Sequence, residues 1–224
     1  WGVEQAMIDL VLRPQMVNDI VSHLVDAYLC ELDQWDELHL LTRNDDNTRV
    51  GSGGYGYVDE LPGKDYNPSR TRPHSMWGNA TAQIFSDVSP DMHWEFALRH
   101  EMRYLERWGL TYYGCCEPLH NKTPLLEEIP NLRKVSMSAW ANVDEMAEWA
   151  GDRFVLSHKP SPAIVAGTSF DGEAVRRVLQ DVLEKTRGCN LSLVMKDIST
   201  VGNRPKRLWE WARIATEVTE EYAT

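Results

Sequence analysis

The sequence predicts an α/β fold: a parallel sheet whose strands are joined by crossover helices. Three observations carry this. Short apolar segments alternate with helical patterns over 224 residues. The strand-plus-helix unit recurs about every 25 to 40 residues, as in barrels and doubly wound sheets. Each helical stretch opens on a capping residue or proline, and several stop at a glycine.

The elements follow in chain order. Pro14 opens a helix through "QMVNDIVSHLVDAYLCELDQW", with Met16, Ile20, Leu24, Ala27 and Cys30 at helical spacing. Ser89-Pro90-Asp91 places a cap, a proline and an acid at the start of a helix expected to reach Trp108 and stop at Gly109. Asn142 and Glu145 form a capping pair for a short helix ending near Gly151. Asp171 opens a helix closed by Gly188, and Asn203 and Pro205 open the last one. Between them, residues 38–41, 110–115, 134–139, 153–158 and 191–198 read as strands. No G-x-G-x-x-G follows a strand, which weakens a dinucleotide-binding reading. Five strands predict the larger, C-terminal part of a barrel, its remaining strands coming from a preceding segment or another chain. The whole chain, 1–224, then reads as one domain. Residues 45–80, rich in Gly, Pro, Asn and Asp, have no sustained period and read as a long loop, a candidate lid.

Composition narrows the function. The formal net charge of -11 argues against nucleic acid and anionic membrane as partners, because phosphate binding needs clustered Lys and Arg. No apolar run approaches the roughly 18 residues of a membrane span. Four cysteines in a chain this long read as thiols of a cytoplasmic protein rather than a disulfide scaffold.

In parallel α/β proteins chemistry gathers at the C-terminal ends of strands. Those ends carry Asn44, Asp45 and Asp46; Cys115, Cys116 and Glu117; Ser136, Ser138 and Trp140; Ser157, His158 and Lys159; and Lys196 and Asp197. A carboxylate beside a thiolate can bind a metal or act as a general base, so Cys115, Cys116 and Glu117 are candidate metal ligands. Glu117, His158, Lys159 and Asp197 are the candidate catalytic groups; Asn44, Ser138, Trp140 and Lys196 are candidate substrate contacts. Packing competes with chemistry at each: a cysteine ending a buried strand is more often inert, and Lys196-Asp197 reads more readily as an ion pair closing the barrel. Cys30 and Cys189 read as structural.

Four stretches together, "FSDVSPDMHWEFALRHEMRYLERWGLTYYGCCEP", "IPNLRKVSMSAWANVDEMAEWAG", "FVLSHKPSPAIVA" and "LVMKDISTVGNRPKRLWEWARIA", resemble the uroporphyrinogen decarboxylase superfamily in motif and order. The resemblance covers the chain from about residue 14 and implies a TIM (β/α)8 barrel whose first three or so strands are not in this sequence. It implies two chemistries. One is decarboxylation of uroporphyrinogen or a related acid, without a cofactor. The other is methyl transfer from a small methylated substrate to a corrinoid protein, with zinc held by a His-x-Cys motif and a later cysteine in several members. Here Tyr113-Gly114-Cys115 or Gly114-Cys115-Cys116 stands in place of His-x-Cys, and the late cysteine gives way to Lys196-Asp197. The glycine-asparagine strand end of the decarboxylase is replaced by His158-Lys159-Pro160. The cysteine-bearing strand end favours methyl transfer with a corrinoid partner. Decarboxylation is the alternative, and a non-catalytic barrel fragment, as a homodimer, is a third.

Overall fold

The computed structural model describes residues 1–223. Helices α1 (Val3–Leu12) and α2 (Pro14–Glu37) lead into a long irregular segment. Then come β1 (Trp77–Ala80), α3 (Pro90–His93), α4 (Arg99–Leu105), β2 (Leu110–Tyr113), α5 (Thr123–Leu126) and β3 (Leu132–Met137). The chain continues through α6 (Val143–Ala150), β4 (Val155–His158), α7 (Ala163–Ala166), α8 (Gly172–Lys185), β5 (Asn190–Leu193) and α9 (Lys206–Tyr222).

The five strands form one parallel sheet in the order β1-β2-β3-β4-β5. Every crossover therefore moves in the same direction. Right-handed crossovers that never reverse put their helices on a single face. The core agrees. Tyr113, Val135, Met137 and Leu156 face Leu98 and Leu105, Leu126 of α5, Met146 of α6 and Val182 of α8 in one buried cluster. A second cluster packs α7, α8 and α9 through Val165, Leu179, Trp211 and Ile214.

The other face carries the alternate residues of each strand. The long loop, expected as a lid, packs against that face as a plug. Ser157 Oγ donates to the Gly53 carbonyl at 3.1 Å, Lys134 Nζ to the Tyr55 carbonyl at 2.7 Å, and Trp77 Nε1 to the Gly56 carbonyl at 2.8 Å. Gly53 lies flat on the Tyr112 ring, where a Cβ would come within 2.8 Å of the ring edge. Only glycine permits that approach.

Two elements correct the sequence reading. Residues 38–41 are not a strand: Leu38 and Leu40 are exposed, and His39 takes a left-handed φ of 57° that breaks an extended run. The first strand lies instead at Trp77–Ala80, inside the segment read as loop. The helix begun at Ser89 is capped as expected, Ser89 Oγ accepting from the Met92 N–H at 3.2 Å. It then widens into a π-helical turn at Trp94–Leu98 and ends at Leu105, short of Trp108. The caps at Asn142 and Asp171 form as read, each side chain accepting two backbone N–H bonds.

Candidate functional site

The carboxyl ends of β2, β3, β4 and β5 surround a pocket of about 200 Å³. Cys116, Ser138, Trp140, Lys159, Lys196 and Asp197 line it, with Pro160 and Pro162 as apolar wall. Six of the residues singled out from the sequence thus meet in one place, although they come from four separate loops.

Gly114 turns the chain out of β2 at φ 94°, where a Cβ would meet Leu119 at 2.6 Å. This turn presents the two cysteines side by side, their sulfurs 3.5 Å apart. Lys196 Nζ donates to Cys115 Sγ at 3.2 Å and to Cys116 Sγ at 3.1 Å. The Asp197 carboxylate accepts from the Cys116 thiol at 3.1 Å and pairs with Lys196 at 2.6 Å. Asp197 itself holds a left-handed φ of 57°, a backbone state that non-glycine residues adopt rarely and often at functional sites.

The two thiols part company electrostatically. Burial pushes Cys115 up, but hydrogen bonds from Ser52, Lys196 and Cys116 outweigh it and leave the thiol below its ordinary value. Burial pushes Cys116 up to about 11; Asp197 and Cys115 add to this and Lys196 only partly offsets it. Of the two, Cys115 is therefore the thiol that ionises more readily, and Cys116 the one that keeps its proton. Burial disfavours the Lys196 ammonium, but Asp197 and both sulfurs overcome this and hold its pKa above the ordinary lysine value. Burial likewise opposes the Asp197 charge, and Lys196 and Cys116 more than compensate.

Lys159 is buried beside them. It donates to the Tyr112 hydroxyl at 2.8 Å and to Ser136 Oγ at 2.5 Å. Ser136 in turn donates to the Cys115 carbonyl at 2.5 Å, and Tyr112 shares a hydrogen bond of 2.9 Å with Ser52 of the plug. Burial, then the nearby Lys196 charge, lowers the Lys159 pKa to about 8. Tyr112 and Ser52 were absent from the sequence reading. Tyr112 is an ordinary strand aromatic until the Lys159 ammonium is placed on its hydroxyl.

Three expected site residues take other positions. Glu117 is fully buried off the pocket wall: one carboxylate oxygen accepts from Thr81 at 2.8 Å, the other from the Cys115 N–H at 2.9 Å. It ties the end of β1 to the cysteine turn and is a positioning residue. His158 alternates with Lys159 onto the helix-covered face, where both ring nitrogens are buried without a hydrogen-bond partner among the described residues. Burial, then Lys159, lowers its pKa to about 4, so the ring is neutral. Asn44 lies at the opposite end of the sheet. Its amide donates to the Trp77 carbonyl at 2.9 Å and accepts from the Trp77 N–H at 2.8 Å, standing in for a strand partner at the start of β1.

Among the described residues no three His, Cys, Asp or Glu side chains are grouped to hold a metal ion. The expected set of Cys115, Cys116 and Glu117 does not fit zinc here. The Glu117 carboxylate is turned onto the Cys115 N–H, and the Lys196 ammonium bridges the sulfurs where a cation would stand. Lysine supplies the positive charge that a metal supplies to thiolates elsewhere.

A second polar network, unread in the sequence, lies on the helix-covered face. Tyr113 donates to Glu101 at 2.9 Å and meets His93 Nε2 at 2.8 Å; His93 Nδ1 lies 3.2 Å from Lys122 Nζ. Lys122 also donates to the carbonyls of Phe85 and Ser86, at 2.9 and 3.1 Å. Burial raises Glu101 to about 7 and lowers His93 to about 4. These side chains satisfy one another within the core, remote from the pocket wall.

Comparison with protein-family models, curated proteins and solved structures finds no match for this chain. No helix among the described residues is long and apolar enough to cross a membrane. The fold therefore defines the class as parallel α/β, and the functional reading rests on the site itself.

Proposed function

We propose that the chain is the site-bearing part of a (β/α)8-type barrel enzyme that transfers a methyl group from a small methylated substrate through the Cys115 thiolate, with a corrinoid protein as acceptor. The observation that carries it is the Lys196 ammonium seated 3.2 Å from Cys115 Sγ and 3.1 Å from Cys116 Sγ at the mouth of the sheet. A thiolate is the nucleophilic form of cysteine, and an adjacent cation makes it available near neutral pH. In the first half a sulfur–carbon bond forms as the bond from the methyl group to its leaving atom breaks, the leaving atom keeping the electron pair and taking a proton. In the second half the sulfur–carbon bond would break as the acceptor takes the methyl group, the sulfur keeping the pair and returning to thiolate. Cys116 donates its one S–H to Asp197 and stays a thiol, leaving Lys196 as the donor to the Cys115 sulfur.

The sequential, one-directional winding of the sheet supports the barrel reading, the remaining strands being supplied by further chain or by a partner. Decarboxylation of a tetrapyrrole is the weaker reading. Such a substrate carries many carboxylates, and this pocket offers two lysines, one of them already paired with Asp197.

The test is transfer to free cob(I)alamin from a panel of small methoxy and methylamino compounds, followed by the absorbance of methylcobalamin. Transfer is expected with the wild type and lost with Cys115→Ser. Absence of transfer across the panel, or full activity in Cys115→Ser, refutes the thiolate reading. Loss of carbon dioxide from uroporphyrinogen in the same preparation would move the protein to the lyases.

A further inference from the structure

Lys159 and Lys196 border the same pocket but differ in one respect. Lys196 is saturated by Asp197 and two sulfurs. Lys159, only 4 % exposed, has no ion-pair partner among the described residues; its two acceptors are the neutral oxygens of Tyr112 and Ser136. An ammonium has three donors, so one is left over. A buried cation without a counter-charge is costly, and a site that retains one is matched to an anion. Ala139, Trp140, Pro160 and Pro162 give the wall an apolar and aromatic side; Ser138, Ser161 and Cys116 are its neutral polar groups, and its one carboxylate, Asp197, is paired with Lys196.

We propose that the pocket takes a small carboxylate with an apolar or methylated far end, its carboxylate docked on the Lys159 ammonium. This names the substrate class of the thiolate site and rests on that reading for the direction in which the far end points. Lys159 selects the carboxylate because it is the pocket lysine with no carboxylate or sulfur in contact with its ammonium. Ser138 offers a hydroxyl beside it, and the Trp140 ring, 77 % exposed at the rim, offers a face to the apolar end. The charged and titratable groups around Lys159 are Lys196, Cys115, Cys116, Glu117, Asp197 and His158, with the Tyr112 hydroxyl in contact. A bound carboxylate adds a negative charge that favours the ammonium form.

The experiment is calorimetric titration of the whole chain near neutral pH with benzoate against benzamide, butyrate against butyramide, and sulfate at matched ionic strength. The expected result is carboxylate binding at least about tenfold tighter than its amide, with that preference lost in Lys159→Met and kept in Lys64→Met, an exposed lysine outside the pocket lining. On the wild type alone, benzoate binding is expected to take up protons just above pH 8 and none well below it, read by titrating in buffers of different ionisation heat. This second readout stands if Lys159→Met does not fold. Equal binding of acid and amide, a preference that survives Lys159→Met in a folded variant, no proton uptake, or sulfate competing as well as benzoate would each overturn the proposal. Neither probe carries a transferable methyl group, so failed methyl transfer and failed carboxylate binding are separate results.

Discussion

Replacing Lys159 by methionine gives a pH-dependent change in stability whose size follows from the site. Burial, with Lys196 nearby, brings the amine from the ordinary 10.5 down to about 8. Each pKa unit is worth about 1.4 kcal/mol, so the folded protein bears roughly 3 kcal/mol for keeping this ammonium charged. The sign is set by where protons bind. Between pH 8 and 10.5 the unfolded chain holds the proton more strongly than the folded one, so stability rises with pH across that window. The penalty is fully present below the folded value and fades as pH climbs to the unfolded one. At pH 7 it is roughly 3 kcal/mol, and by pH 10 it has fallen to about 1. Methionine keeps much of the apolar stem and removes the charge. It also forfeits two hydrogen bonds, each worth about 1.5 kcal/mol or more, but that loss is not offset differently for Tyr112 and Ser136, which retain Ser52 and the Cys115 carbonyl as partners. Urea unfolding of both proteins at about pH 7 and pH 10 therefore isolates the charge. The stability of the variant relative to wild type is expected to be higher at pH 7 than at pH 10 by roughly 2 kcal/mol. A difference that stays flat with pH would refute the buried-ammonium account of this lysine.

Two further outcomes follow from the geometry. Asn44→Ala removes both side-chain partners of the Trp77 backbone and is expected to cost about 1–3 kcal/mol in urea unfolding, with ligand binding at the pocket unchanged. Gly78→Ala drives a methyl group to 2.1 Å from the Trp108 ring and is expected to cost about 3 kcal/mol or more, read as a lowered urea midpoint.

The legible parts of the fold were those with a local physical signature. Four strands showed themselves as apolar runs before polar ends, and the caps at Ser89, Asn142 and Asp171 showed themselves by residue type. The strand Trp77–Ala80 did not, because four residues containing Gly78 and Asn79 have no alternation to detect. Leu38 to Leu41 had the composition of a strand and no neighbour to pair with. At the site, strand-end reasoning brought together the cysteines, Lys159, Lys196 and Asp197. It placed His158 on the pocket side, whereas a one-residue alternation along β4 turns it to the other face. Glu117, in the turn after β2, is drawn off the wall by Thr81 and the Cys115 N–H. The hydroxyl cage of Lys159 was illegible for another reason. Tyr112 and Ser136 belong to different strands, and only the pairing register brings both to one ammonium.

The plug has a consequence for the order of events during synthesis. Gly53 precedes Ser157, whose hydroxyl it accepts, by 104 residues, and Ser52 precedes Tyr112 by 60. The segment therefore leaves the ribosome before any of the strands it will cover. An apolar stretch in that position would stand exposed and sticky while its partners were still being made. "GSGGYG", at 51–56, has small, polar and flexible residues with a single aromatic pair partner nearby, and can wait in water at little cost. Its glycines thus serve twice: they let the backbone lie on Tyr112 in the finished fold, and they keep the unfinished chain soluble until Tyr112 exists.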